Sequence, residues 1–255
     1  MNREIPAIPK AVFFDLDDTL FDHRYSAYCA LKGLQERHPD LRKHSLEFLG
    51  QEDFRLLSEK HPLVLAGTLS VADSRIQRMQ GLFISCGVSI SVDEAQHFAD
   101  HRQTIYRKTR RAVPGAIPLL QFLKDRVKIG VVTNNFTAEQ RDKLDACGLT
   151  EFIDVLVTSE EAGYTKPDPR IFKIALEQLN CGANQAVMIG DSWEMDIVGA
   201  TSAGIRSIWF NREGRVQAAH SHVIEITTLE PARLIAHQIF GNGDDWELST
   251  DSMKD

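Results

Sequence analysis

The sequence predicts an α/β fold in which a parallel β-sheet is flanked by helices and interrupted by an all-helical insertion. Five or six short apolar runs punctuate the chain, each followed by turn residues or a helix-period segment, which is how buried parallel strands read. The interval from Phe21 to about Arg111 instead holds several helical patterns and no convincing buried strand. The expected division is a core of residues 1–21 and 112–240, a helical cap of residues 22–111, and an acidic tail, 241–255, that should fray.

The predicted strands are Ala11–Asp15, Val127–Thr133, Val155–Ser159, Ala186–Asp191 and Ser207–Phe210, with Val223–Ile226 as a sixth. Thr137 and Gln140 form a capping-box pattern at the start of a helix that Gly148 should stop. Ile171, Phe172, Ala175, Leu176 and Leu179 recur at helical spacing behind Pro167 and Pro169, with Gly182 beyond them, and read as a core stripe. Within the insertion, Tyr25, Tyr28, Leu31 and Leu34 give one apolar stripe. Ile76, Met79, Phe83 and Ile84 give another, in a segment closed by Gly87. The turn Val113-Pro114-Gly115 marks the return to the core.

With 255 residues the chain can bury a sizeable core without staples. Cys29, Cys86, Cys147 and Cys181 are scattered, with no CxxC pair and no zinc spacing, and are expected to be reduced thiols. The N-terminus has no apolar h-region and no stretch approaches a membrane span, so a cytoplasmic protein without a membrane partner is expected. A net charge of −7 and a pI near 5.7 argue against a nucleic-acid polymer as partner. The basic run Arg102–Arg111 reads as a solvated helix face, as do His97 and His101, although their spacing of four would permit a metal. Trp193 reads as packing at the start of its helix.

Asp15 closes an apolar run, and the C-terminal ends of strands are where open α/β sheets place ligands. Asp191 closes another, and Asp196 follows on or near the next helix. Converging carboxylates repel unless a cation neutralises them, and hard oxygen ligands with room for water suit Mg²⁺. Thr133-Asn134-Asn135 ends a third strand with a hydroxyl, amides and backbone N–H donors. Lys166 stands in a rigid Lys-Pro-Asp-Pro setting as a surface residue or an anion counter-charge. Together these are the parts phosphoryl transfer needs: a nucleophile, a second carboxylate at Asp17, charge neutralisation and a metal ligand set.

These residues resemble the haloacid dehalogenase-like hydrolases. Asp15-x-Asp17-x-Thr19 is similar to the family's first motif, Thr133 to its second, Lys166 to its third, and Gly190-Asp191 with Asp196 to its fourth. All four occur in the family's order, over about residues 10–210, with a helical insert where its type-1 cap belongs. The resemblance implies a Rossmann-like core with a mobile cap and a Mg²⁺-dependent phosphatase of small phosphorylated metabolites. Asp15 would form an aspartyl-phosphate, and Asp17 would be the general acid and base. Thr133 and Asn134 would hold phosphoryl oxygens, and Lys166 would pair with Asp15 and the phosphate. Mg²⁺ would sit on the carboxylates of Asp15 and Asp191 and on the backbone carbonyl of Asp17, with Asp196 acting from behind or through water. Phe21 and His23, just after the first motif, suggest a role in gating substrate entry.

The acid at Asp17 favours phosphatase over 2-haloacid dehalogenase, since displacing halide from carbon needs no leaving-group acid. A receiver-type signalling domain is disfavoured by Asp15 lying on the first strand and by the insert. A catalytically silent binding relative is disfavoured by the complete reactive set.

Overall fold

In a computed structural model of the protein, residues 8–217 and 223–241 are described. The chain divides into two compact units, one made by the residues up to Phe21 and from Ala112 onward, the other by Asp22–Arg111. The expected tail lies, beyond its first residue, outside the described residues.

The first unit is built on six strands: β1 (Ala11–Phe14), β2 (Lys128–Thr133), β3 (Val155–Thr158), β4 (Ala186–Gly190), β5 (Arg206–Phe210) and β6 (Ile224–Ile226). They pair in parallel in the order β3-β2-β1-β4-β5-β6. Phe14 lies opposite Val131 on one side and Ile189 on the other. From β1 the chain winds outward through β2 and β3, then crosses back to β4 and winds the other way. The ends of β1 and β4 therefore form the switch point at which such sheets open a crevice. β1, β2 and β4 are almost wholly buried, which is why they read as continuous apolar runs rather than alternating ones.

Of the helices of this unit, α5 (Ala116–Lys124) begins after Gly115, α6 (Thr137–Ala146) follows β2, and α7 (Ser159–Ala162) follows β3. Then come α8 (Pro169–Gln178), α9 (Gly199–Ser202) and α10 (Ala232–Phe240). The predicted stripe of α8 is buried at Ile171, Phe172, Ala175 and Leu176, packed with Phe13, Val132 and Met188. Each large apolar side chain so placed contributes about 1.5–3 kcal/mol. Trp193 packs edge-on against Trp209, with ring centroids 5.0 Å apart. Gly148 adopts φ +65° after α6, as a helix stop requires.

The capping box expected at Thr137 does not form. The N-cap is Phe136, and the Thr137 N–H donates instead to Glu160 Oε2 at 2.8 Å. The Thr137 hydroxyl pairs with Thr158 Oγ1 at 2.6 Å, which frees the Gln140 side chain for another purpose.

The second unit comprises α1 (His23–Arg37), α2 (Leu46–Leu65), α3 (Val71–Ser85) and α4 (Val92–Lys108). Ser45, Ser70 and Ser91 cap the last three, and Ser91 with Glu94 makes a true capping box. Leu31, Leu34, Leu49, Met79, Leu82 and Phe83 form its core. Three expected stripe members lie outside it. Tyr25 and Tyr28 are 36% and 50% exposed, because α1 turns Ser26 and Ala30 inward, and Tyr25 stacks on the Arg111 guanidinium 3.3 Å from its ring centroid. Ile84 is 63% exposed because Leu82 and Phe83 take the inward positions.

The basic run also departs from a solvated face. Arg102 is buried and meets Asp53 Oδ2 at 2.6 Å, while Arg78 meets Asp53 Oδ1 at 3.0 Å. Arg111 donates through Nε and Nη2 to Asp22 Oδ2, and the Asp22 N–H donates to the Arg111 carbonyl, tying the two ends of the unit together. His97 is exposed, and neither it nor His101 joins a metal-binding cluster among the described residues. No described helix is long and apolar enough to cross a membrane.

Candidate active site

Asp15 follows the last residue of β1, and its N–H still donates to the Ile189 carbonyl at 3.0 Å, so the sheet ladder fixes its backbone. The chain then turns sharply: Asp18 adopts φ +63°, and the N–H groups of Thr19, Leu20 and Phe21 all donate to the Leu16 carbonyl. The Thr19 hydroxyl accepts from the Asp191 N–H at 3.1 Å, joining this loop to the end of β4. Phe21 is wholly buried, and His23 Nδ1 lies 2.7 Å from the Tyr106 hydroxyl.

Beyond β4, Trp193–Val198 forms a π-helical turn, a device that often re-aims functional side chains. It brings Asp196 back beneath the strand end, wholly buried, where Oδ2 accepts from the Ser192 N–H at 3.0 Å. Carboxylate oxygens of Asp15, Asp191 and Asp196 then lie within 4.8 Å of one another.

Lys166 enters this cluster from the segment between α7 and α8. Its Nζ donates to Asp15 Oδ1 at 2.5 Å, Asp196 Oδ1 at 2.6 Å and the Val132 carbonyl at 2.8 Å. Burial opposes the lysine's charge, but Asp15 and Asp196 outweigh it and raise its pKa, so the ammonium persists. Burial pushes the Asp15 carboxyl well above the usual carboxylate range, with Asp196 and Asp191 pushing the same way against the pull of Lys166. Three carboxylates facing one ammonium leave an excess of negative charge. Hard oxygen donors in that state fit a divalent cation, and the chemistry of the donor set fits Mg²⁺. Asp196, expected to act from behind the ligands or through water, has a carboxylate oxygen within 4.8 Å of those of Asp15 and Asp191.

Asp17 turns a different way. Its Oδ1 and Oδ2 accept from Lys143 Nζ at 2.7 and 2.9 Å, and Oδ2 also accepts from Gln140 Nε2 at 3.1 Å. Its side chain is thus outside the carboxylate cluster, which leaves its backbone carbonyl as the expected ligand atom. Thr133 is buried at the end of β2, and its Oγ1 accepts from Gln140 Nε2 at 2.5 Å. Asn134 uses its amide on the backbone of Lys166: Nδ2 donates to the carbonyl at 2.9 Å, and Oδ1 accepts the N–H at 2.7 Å. That amide braces the backbone of the lysine.

The structure thus brings the predicted Asp15, Lys166, Asp191 and Asp196 together, and it sets Gln140 and Lys143, which the sequence did not single out as site residues, against Asp17. Gln140 was masked by the capping pattern. The available signal for Lys143 was its spacing of three from Gln140, which places both on one face of α6.

Comparison with known proteins agrees with this geometry. The family model described as haloacid dehalogenase-like hydrolase matches residues 9–204. The pyrimidine 5'-nucleotidase YjjG of Escherichia coli is 32% identical, over 81% of this chain and 88% of its own. The glyceraldehyde 3-phosphate phosphatase of Methanothermobacter thermautotrophicus is 30% identical, over 87% and 95%. Among solved structures, a 2-haloacid dehalogenase from Pseudomonas syringae is 29% identical, covers 90% of this chain and 99% of its own, and superposes with a TM-score of 0.58. The parallel sheet, the inserted helical cap and the acidic cluster at the strand ends place this chain in the haloacid dehalogenase-like hydrolases, which use an aspartate nucleophile on small phosphorylated or halogenated metabolites.

Proposed function

We propose that the protein is a Mg²⁺-dependent phosphomonoesterase acting on a small phosphorylated metabolite through an aspartyl-phosphate on Asp15. The observation that carries this reading is the carboxylate of Asp17, two residues beyond the nucleophile and held by Lys143 and Gln140. An alkoxide leaving group needs a proton, whereas halide does not.

In the first half-reaction an Asp15 oxygen attacks phosphorus and the ester P–O bond breaks. Asp17, protonated on an oxygen that Lys143 has released, delivers its proton to the departing alkoxide. In the second, Asp17 takes a proton from water as the water attacks the aspartyl-phosphate, regenerating Asp15 and releasing inorganic phosphate. Lys166 holds positive charge against Asp15 and the transferring group, and the Thr133 hydroxyl donates to a phosphoryl oxygen. The carboxylates of Asp15 and Asp191 and the Asp17 carbonyl would hold Mg²⁺, with Asp196 beside them; when bound, it supplies charge neutralisation of the phosphoryl oxygens. Asn134 fixes the backbone from which Lys166 reaches the site.

The pyrimidine nucleotidase and the triose-phosphate phosphatase among the relatives support nucleoside monophosphates and short sugar phosphates as the substrate class. The four cysteines, none of them in a disulfide among the described residues, accord with a reducing, cytoplasmic setting. The likeness to a 2-haloacid dehalogenase supports a second reading, against which the acid at Asp17 weighs.

Phosphate release from a panel of phosphomonoesters, with Mg²⁺ or excess chelator, tests the proposal. Metal-dependent release by the wild type, lost by at least about 10³-fold in Asp15→Asn without unfolding, is the expected outcome. Halide release from 2-haloacids with no phosphate release would replace it with the second reading.

A further inference from the structure

The buried face of α6 consists of Thr137, Gln140, Lys143 and Leu144, so three of its four inward side chains are polar. A helix that only packed against a sheet would present apolar residues there. Gln140 is wholly buried and Lys143 is 2% exposed. One turn apart, they converge on the same carboxylate: Lys143 grips both oxygens of Asp17, and Gln140 reaches one of them while also donating to Thr133 Oγ1.

Gln140 has a second anomaly. Its Oε1 is buried with no hydrogen-bond partner among the described residues. Leaving an acceptor dry costs stability, and an apolar side chain of similar size would avoid that cost. The amide is oriented by what its nitrogen does. Because Gln140 donates to Thr133 Oγ1, one oxygen lone pair is occupied and the single hydroxyl proton is directed to another acceptor.

We infer that Gln140 and Lys143 form a two-point clamp of positioning residues. Lys143 sets the carboxylate of Asp17 for work on the leaving group, and Gln140 aims the Thr133 hydroxyl at the transferring group. The inference rests on the phosphatase reading and adds a division of labour to it. Lys143 acts on the leaving-group side of the reaction, and Gln140, whose bond to Thr133 Oγ1 at 2.5 Å is shorter than its 3.1 Å bond to Asp17, acts chiefly on the phosphoryl side, which is common to every substrate. The Lys143 ammonium also lies 5.4 Å from the centroid of the Phe21 ring, a cation–π contact.

The test compares an alkyl phosphate, glycerol phosphate, with the activated ester p-nitrophenyl phosphate, using full-length wild type, Asp17→Asn, Lys143→Met, Lys143→Arg and Gln140→Leu. Lys143→Met is expected to lose about tenfold or more in kcat on the alkyl ester and far less on the activated one, following the pattern of Asp17→Asn. The double variant with Asp17→Asn should lose little beyond Asp17→Asn alone, because the two act as a unit. Lys143→Arg, which can still grip both oxygens, should recover part of the loss. Gln140→Leu should lose about tenfold on both esters while its Tm stays level or rises, since the dry acceptor is gone.

Equal losses on both esters in Lys143→Met, or a fall in Tm of Gln140→Leu with unchanged kcat, would overturn the clamp and make both residues structural. If the wild type releases no phosphate from either ester, the phosphatase reading itself fails, and the clamp with it. If the wild type and Asp17→Asn behave as that reading expects but Lys143→Met does not, the clamp alone fails.

Discussion

At Gly190, the last residue of β4, a methyl group would overlap the carboxylate and Cβ of Asp196, and β4 cannot shift because it is paired on both sides. Gly190→Ala should therefore displace Asp196 from Lys166, destabilise the fold by about 1–3 kcal/mol, and raise the Mg²⁺ concentration needed for half-maximal turnover. Metal titration of activity, read beside thermal unfolding, checks both effects. Residues of this kind were legible in the sequence to the extent that a strand end announced them. Asp15, Thr133 and Asp191 each close an apolar run, and Lys166 sits between prolines and turn residues. What the sequence hides is orientation. Nothing in Asp15-x-Asp17 says that the second carboxylate faces α6, and nothing in Thr133-Asn134 says that the amide bonds to the backbone of Lys166. Those facts depend on partners 30 or more positions away.

At the scale of elements, the helical unit is pinned by a buried ion cluster whose members come from three helices. Asp53 of α2 meets Arg78 of α3 and Arg102 of α4. Removing the carboxylate leaves two guanidinium groups facing each other, so Asp53→Ala should cost about 3–5 kcal/mol, measurable by denaturant unfolding. The cluster also makes stability pH-dependent. Burial opposes the charge of Asp53, but Arg102 and Arg78 outweigh it and hold the carboxyl below its ordinary value. The folded pKa is thus lower than the unfolded value of about 3.9, so the contribution is complete above that value and is lost as pH falls through the folded pKa. The stability difference between wild type and Asp53→Asn should be constant near neutrality and shrink below about pH 4. Helical periodicity located these elements, because buried stripes repeat at 3.6 residues. It could not show that Arg102 faces inward, since an arginine in a basic run reads as solvated until its acidic partner on another helix is known.

For the molecule as a whole, the insertion leaves and re-enters the core at adjacent points. Phe21 bridges Ala112 in antiparallel fashion, and Asp22 and Arg111 close the helical unit at its own base. Replacing residues 22–111 with a short Gly-Ser linker should therefore leave a core that unfolds cooperatively and keeps its sheet, as judged by circular dichroism and denaturant titration. The parallel sheet and the insertion were both legible at this scale, because run length and periodicity differ between the two parts. The spatial order of the strands was not, since nothing local in β1 says that its neighbours are β2 and β4. That order has a consequence for biosynthesis. β1 leaves the ribosome before both of its partners, Lys128–Thr133 and Ala186–Gly190, yet it occupies the middle of the sheet. The helical unit, contiguous in the chain, can complete itself while β1 still waits. Asp15 is thus made before the residues that come to surround it, and a nascent chain stalled before Gly190 carries the proposed nucleophile without the surroundings that would give it chemistry.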